Sequence, residues 1–110
     1  MTALLVALGA AVGAALRFTI ASRYDEPKGI PWGTLVVNVA GSALLGALSA
    51  MALSGHAMAL LGTGFCGGFT TYSAFAVQTH GLGPRHGTAY AVVTIAASLA
   101  ACALGFWLAA

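Results

Sequence analysis

Two polar stripes run through otherwise apolar stretches of this chain. Thr34, Asn38 and Ser42 recur every four residues, and so do Tyr90, Thr94 and Ser98. A repeat of four puts side chains on one face of a helix. Both stripes consist of hydroxyl and amide groups, with no carboxylate among them. Such groups donate hydrogen bonds to an anion while carrying no charge to trap it. For hydroxyls alone, interhelical hydrogen bonding is the better reading. Asn38 stands apart, because an amide brings two donors and is costly to bury unpaired.

A second cluster lies in Gly62-Thr63-Gly64-Phe65-Cys66-Gly67-Gly68-Phe69-Thr70-Thr71-Tyr72-Ser73-Ala74-Phe75. Gly costs about 1 kcal/mol in a helix interior and Thr is also a poor helix former. The paired glycines and paired threonines therefore predict a break in the helix, with an unbroken glycine-rich helix as the plainer alternative. A break inside lipid frees backbone carbonyls, which must line a cavity or bind something, and discontinuous helices use such carbonyls to hold a cation. Tyr72 and Phe75 follow on one face. Their ring edges are positive and suit a desolvated anion, although such a pair is more often packing. Arg17 either snorkels to the membrane surface or lines a vestibule that concentrates anions.

The elements that carry these residues follow from composition. The chain has 110 residues, 60% hydrophobic and 5% charged, where a soluble domain carries about a quarter charged. A membrane-spanning helix needs roughly 20 apolar residues. Four stretches qualify, at about Ala3 to Ser22, Trp32 to Leu53, Met58 to His80 and Thr88 to Trp107. Little is left over for a soluble domain. The first stretch lacks the basic start of a signal peptide and reads as a retained span. The expected fold is an all-α membrane protein of four transmembrane helices, the third broken near its middle, in a single domain over residues 1–110.

Gly9 with Gly13, and Gly41 with Gly46 and Ser42, form small faces that let helices approach closely. Four slim helices enclose little, so a conduction path is expected at a subunit interface. Cys66 and Cys102 fall inside spans and read as packing residues. His56, His80 and His86 sit at or near loops, where solvated polar residues are expected. Arg23, Lys28 and Arg85 lie in the first and third loops, while the second loop and both termini carry no Lys or Arg. The positive-inside rule then puts the first and third loops in the cytoplasm and both termini outside.

Three segments together resemble the bacterial fluoride channel family, Fluc or CrcB. They are Gly9-Ala10-Ala11-Val12-Gly13-Ala14-Ala15-Leu16-Arg17-Phe18, then Gly33-Thr34-Leu35-Val36-Val37-Asn38-Val39-Ala40-Gly41-Ser42, then Gly64 through Phe75. The resemblance implies an antiparallel, dual-topology dimer with two fluoride pathways in the plasma membrane. It implies a structural, untransported sodium ion at the dimer centre, held by the Gly67 and Thr70 carbonyls. It puts Asn38, Tyr72, Phe75, Tyr90, Thr94 and Ser98 along the fluoride pathway. The function implied is passive export of fluoride, with lipid as the surroundings and no nucleic-acid partner. The chain departs from the family at Tyr72, where a phenylalanine is usual, at Ala74, where a hydroxyl is usual, and at Gln78, where an acid is common. A hydroxyl on Tyr72 needs a partner and would narrow the path.

A dual-topology homodimer needs nearly balanced loops, and this chain does not have them. A heterodimer with an oppositely oriented paralogue is therefore weighed beside the homodimer, as is an assembly subunit that does not conduct alone. A proton-coupled multidrug transporter needs a titratable group in the membrane, and the only two acids, Asp25 and Glu26, lie in a loop. No nucleophile, base and orienting group are placed together, so the chain does not read as an enzyme.

Overall fold

The structure, a computed structural model, describes residues 1–26 and 29–110. Lys28, one of the three loop cations, lies outside the described residues. The described chain is helical throughout, apart from short connections and one antiparallel bridge between Asp25 and Pro31. Helix α1 covers Thr2–Tyr24, α2 Trp32–Ala50 and α3 Gly55–Met58. A π-helix over Ala59–Cys66 continues α3 and leads into α4, Gly67–Phe69. After an interruption the chain re-enters helix as α5, Ser73–Gly81, and then α6, Gly83–Ala109. Helices α1, α2 and α6 are long and apolar enough to cross a membrane.

These boundaries differ from the sequence expectation at several ends: Arg23 and Tyr24 belong to α1 and His56 to α3 rather than to loops. Helix α2 stops at Ala50, short of Leu53, where Ala52 takes a left-handed φ of 52°. At the other end, Pro84, Arg85 and His86 are not loop residues but the first turn of α6. Pro is well suited to a first turn, because the N–H it lacks would have no helical acceptor there. Gly83, with φ +84°, makes the tight reversal out of α5. The third loop is thus shorter than its polar sequence suggests.

Helix α1 packs along the π-helix and α4, and α2 packs along α6. Gly13 shows why small residues are needed: a Cβ there would strike the Phe65 carbonyl. Gly46 meets α6 in the same way, at the Cys102 carbonyl. Moving along α1 from Gly9 to Gly13, the neighbour moves from Leu60 to Phe69, so these two helical runs are parallel. Helices α2 and α6 are parallel by the same argument. Asn38 shares a groove with Thr94 and Ser98, while Gly46 sits farther along, at Cys102.

The buried core is small: Thr34, Val37, Leu48, Ala59, Cys66, Phe69, Tyr90 and Thr94. Most large apolar side chains point outward, among them Leu8, Val12, Val92, Ile95, Leu99 and Leu104. Water would expel such a surface, whereas lipid accepts it. Tyr24, Trp32 and Trp107 are exposed near helix ends, as aromatic residues are at membrane–water boundaries.

Candidate functional site

The third helical run stops at Thr70 because of Asn38. The Asn38 Oδ1 accepts the Thr71 N–H at 2.8 Å, and its Nδ2–H donates to the Thr71 carbonyl at 3.0 Å. A continuing helix would have used that N–H to bond the Gly67 carbonyl. Instead Thr70 turns extended, at φ −83° and ψ 160°. The break therefore falls two residues after the glycine pair. Gly67 and Gly68 stay helical, and their flexibility is not what interrupts the run. Thr71 precedes the next helix, its Oγ1 accepting the Ala74 N–H at 3.1 Å, while the N-cap is Tyr72, whose carbonyl accepts the Ala76 N–H at 2.8 Å. Sequence reasoning does not single out Thr71, because the contact that makes it matter, to Asn38, is tertiary.

An open groove of about 690 Å³ runs beside this interruption. Asn38 and Ser42 line it from α2, and Thr94 and Ser98 from α6. Gly67, Thr70, Thr71, Tyr72 and Phe75 line it from the interrupted segment. Among the described residues, no charged side chain does so. The structure thus brings together Asn38, Tyr72, Phe75, Thr94 and Ser98 with Gly67 and Thr70.

Tyr90 lies deeper. It is buried, with its ring centroid 5.6 Å from that of Phe75. Tyr72 continues the aromatic series at 6.2 Å from Phe75 but is 80% exposed. Its side chain is thus open in the single chain. Arg17 is not in the groove wall. Its Nε–H donates to the Gly68 carbonyl at 3.1 Å and ties α1 to the end of α4.

The donor inventory narrows the chemistry. Ser42 spends its proton on the Asn38 carbonyl at 2.7 Å. Thr34, first in its stripe, is buried away from the groove and donates both N–H and O–H to Asp25, at 2.9 and 2.7 Å. One Nδ2–H of Asn38 remains beyond its Thr71 bond. The Tyr90 and Thr94 hydroxyls are buried one turn apart on α6, with no partner among the described residues beyond each other. A poorly bonded buried hydroxyl costs about 1–3 kcal/mol, and Thr94, which lines the groove, is poised to bond whatever enters beside it. An anion stripped of water is the species such donors suit.

The carbonyls named for sodium also fit a cation. The Gly67 carbonyl has lost its helical donor to Asn38, and the Ala74 N–H that would serve Thr70 bonds the Thr71 hydroxyl. Neutral oxygens with free lone pairs suit a hard monovalent ion. A Cβ on Gly67 would meet nothing within 4 Å, so this surface is open.

Outward apolar faces on long helices make this a multi-pass membrane protein, and a groove without charge suits passage rather than acid–base work. Comparison with known proteins agrees. The family described as CrcB-like protein, Camphor Resistance (CrcB), matches residues 4–109. The chain is 50% identical over 110 residues to Fluoride-specific ion channel FluC 2 of Rhodococcus jostii, covering 96% of each protein. It is 47% identical over 103 residues to Fluoride-specific ion channel FluC 1 of Thermobifida fusca, covering 92% of this chain and 86% of that one. It is 49% identical over 107 residues to Fluoride-specific ion channel FluC 2 of Halobacterium salinarum, covering 92% and 80% respectively. The chain belongs to the CrcB family.

Proposed function

We propose that this chain is a subunit of a passive, fluoride-selective channel that lets fluoride leave the cell down its gradient. The observation that carries the reading is the uncharged groove in which Asn38, Thr94 and Ser98 face an interrupted helix. Relatives that match nearly the whole chain are named as fluoride-specific channels. In this reading the chain crosses the membrane four times. The third crossing is the interrupted run from Gly55 to Gly81, parallel to α1 in its first part. Two copies, or this chain and a paralogue, associate in opposite orientations across the open groove. Gly67 and Thr70 hold a sodium ion that adds fixed positive charge at the centre and is not transported. Asn38, Phe75, Tyr90, Thr94 and Ser98 supply donors and ring edges to fluoride, and Arg17 draws anions toward the mouth. Tyr72 stands at the rim, where the second subunit would meet it.

Fluoride efflux from liposomes holding this protein alone, compared with chloride and with an Asn38→Ala variant, tests the proposal. Selective efflux lost in the variant supports a self-sufficient channel. The alternative is a non-autonomous subunit, favoured by the loop charge bias and by Tyr72. It predicts no efflux from folded protein until an oppositely oriented paralogue is added. Silence in both preparations rejects the channel reading.

A further inference from the structure

Asp25 ends α1, and its backbone N–H bonds the Ala21 carbonyl at 2.9 Å. Its side chain reaches two other elements. Oδ1 accepts the Thr34 N–H and Oδ2 accepts the Thr34 hydroxyl, which places a carboxylate in the first turn of α2, where the helix dipole favours negative charge. Oδ2 also accepts from Gln78 Nε2 at 3.1 Å, on α5. Three segments distant in sequence therefore meet at one half-buried carboxylate, outside the groove wall.

Helix α5 packs on α6, where a Cβ on Gly87 would strike the Thr79 carbonyl, but its polar ties to the rest of the fold are few. None of its residues is fully buried. Among the described residues, Gln78 to Asp25 is the one hydrogen bond from α5 to another part of the fold. Gln78 lies three residues after Phe75, on the same side of the helix. A turn or slide of α5 that breaks the Asp25 contact must therefore also move the Phe75 ring over Tyr90. The chemistry of the pair is directional. Asp25 can only accept, so position 78 must donate, and an acid there would face Asp25 with like charge.

We propose that Asp25 and Gln78 form a joint that seats α5 against α2 and so places the Phe75 ring at the groove. They are positioning residues, and neither touches the ion. The proposal deepens the channel reading and rests on it for its consequence in permeation.

The test uses full-length protein with 4-fluorophenylalanine introduced at position 75, whose fluorine resonance reports the ring's surroundings, and fluoride efflux from liposomes as the second readout. Gln78→Leu and Gln78→Glu should each shift the resonance and slow efflux about tenfold or more, the equivalent of one lost hydrogen bond to a charged group. The exchanged pair, Asp25→Asn with Gln78→Glu, restores one donor and one acceptor between the two positions, at the loss of the acceptor for the Thr34 hydroxyl, and should return both readouts part of the way from Gln78→Glu toward the parent. A merely structural loss would not be mended by exchanging donor for acceptor. An unmoved resonance in both single variants overturns the joint, as does a shifted resonance with unchanged efflux, or an exchanged pair no better than Gln78→Glu. If the parent passes no fluoride even with a paralogue, the channel reading fails, and the resonance with its rescue decides the joint alone.

Discussion

Asn38 uses one N–H and its carbonyl on the Thr71 backbone and keeps one N–H in reserve. Asn38→Ala should therefore destabilise the protein by about 2 kcal/mol, because two backbone groups lose partners at once. A lowered thermal midpoint in detergent checks this apart from transport. Asn38→Asp should be worse than Ala, since a carboxylate cannot donate to the Thr71 carbonyl and repels an anion. Tyr90 behaves differently. Its hydroxyl has no partner among the described residues beyond the neighbouring Thr94 hydroxyl, so Tyr90→Phe should change stability by no more than about 1 kcal/mol while slowing fluoride efflux. Equal efflux would remove the hydroxyl from the path. At this scale the sequence was partly legible. The four-residue spacing found Asn38, Thr94 and Ser98, which do share a wall. It also admitted Thr34, whose role is decided by Asp25 nine positions earlier, and no helical periodicity reports a loop residue folding back.

Helix α1 and the segment it packs on meet through glycine. Gly13→Ala should cost about 1–3 kcal/mol, as overpacking does, because the methyl must displace the Phe65 carbonyl, which is backbone. Loss of folded protein at lower temperature, measured against Gly55→Ala, is the comparison, since a Cβ at Gly55 meets nothing. Among the helices, α1 was legible almost to the residue because unbroken apolar runs have only one stable form in lipid. The third run was harder. Its paired glycines and paired threonines predicted a break, and the interruption falls at the threonines, where a distant amide captures Thr71, while Gly62 and Gly64 lie within a π-helix from Ala59 to Cys66 that the sequence did not announce. Glycine content shows where a helix is weak, but the partner that exploits the weakness is tertiary.

A molecule with so little core and so many outward apolar side chains is held by its surroundings as much as by itself. Gly67 is informative here, because a methyl group there would disturb nothing in the single chain. Gly67→Ala should leave helical content unchanged and still weaken association, seen as a shift toward the smaller species in detergent. An unchanged dimer would place this surface away from any subunit contact. Replacing sodium by a bulky organic cation should act in the same direction. Membrane residence was legible from composition, since charge is too sparse for water, and three of the four expected spans are long apolar helices. The pairing of the parallel runs was not legible, because it depends on which small faces meet.

The bond pair between Asn38 and Thr71 acts as one rung of sheet set inside a helical protein. A rung admits one register. Were the run from Gly55 to Phe69 lengthened by a residue, Thr71 could not slide to compensate, because its donor and acceptor are both taken by a side chain anchored in α2. The extra residue would have to bulge toward Gly55, leaving the groove wall where it was. The interruption is therefore the fixed point of the fold, and the helix around it is the part that yields.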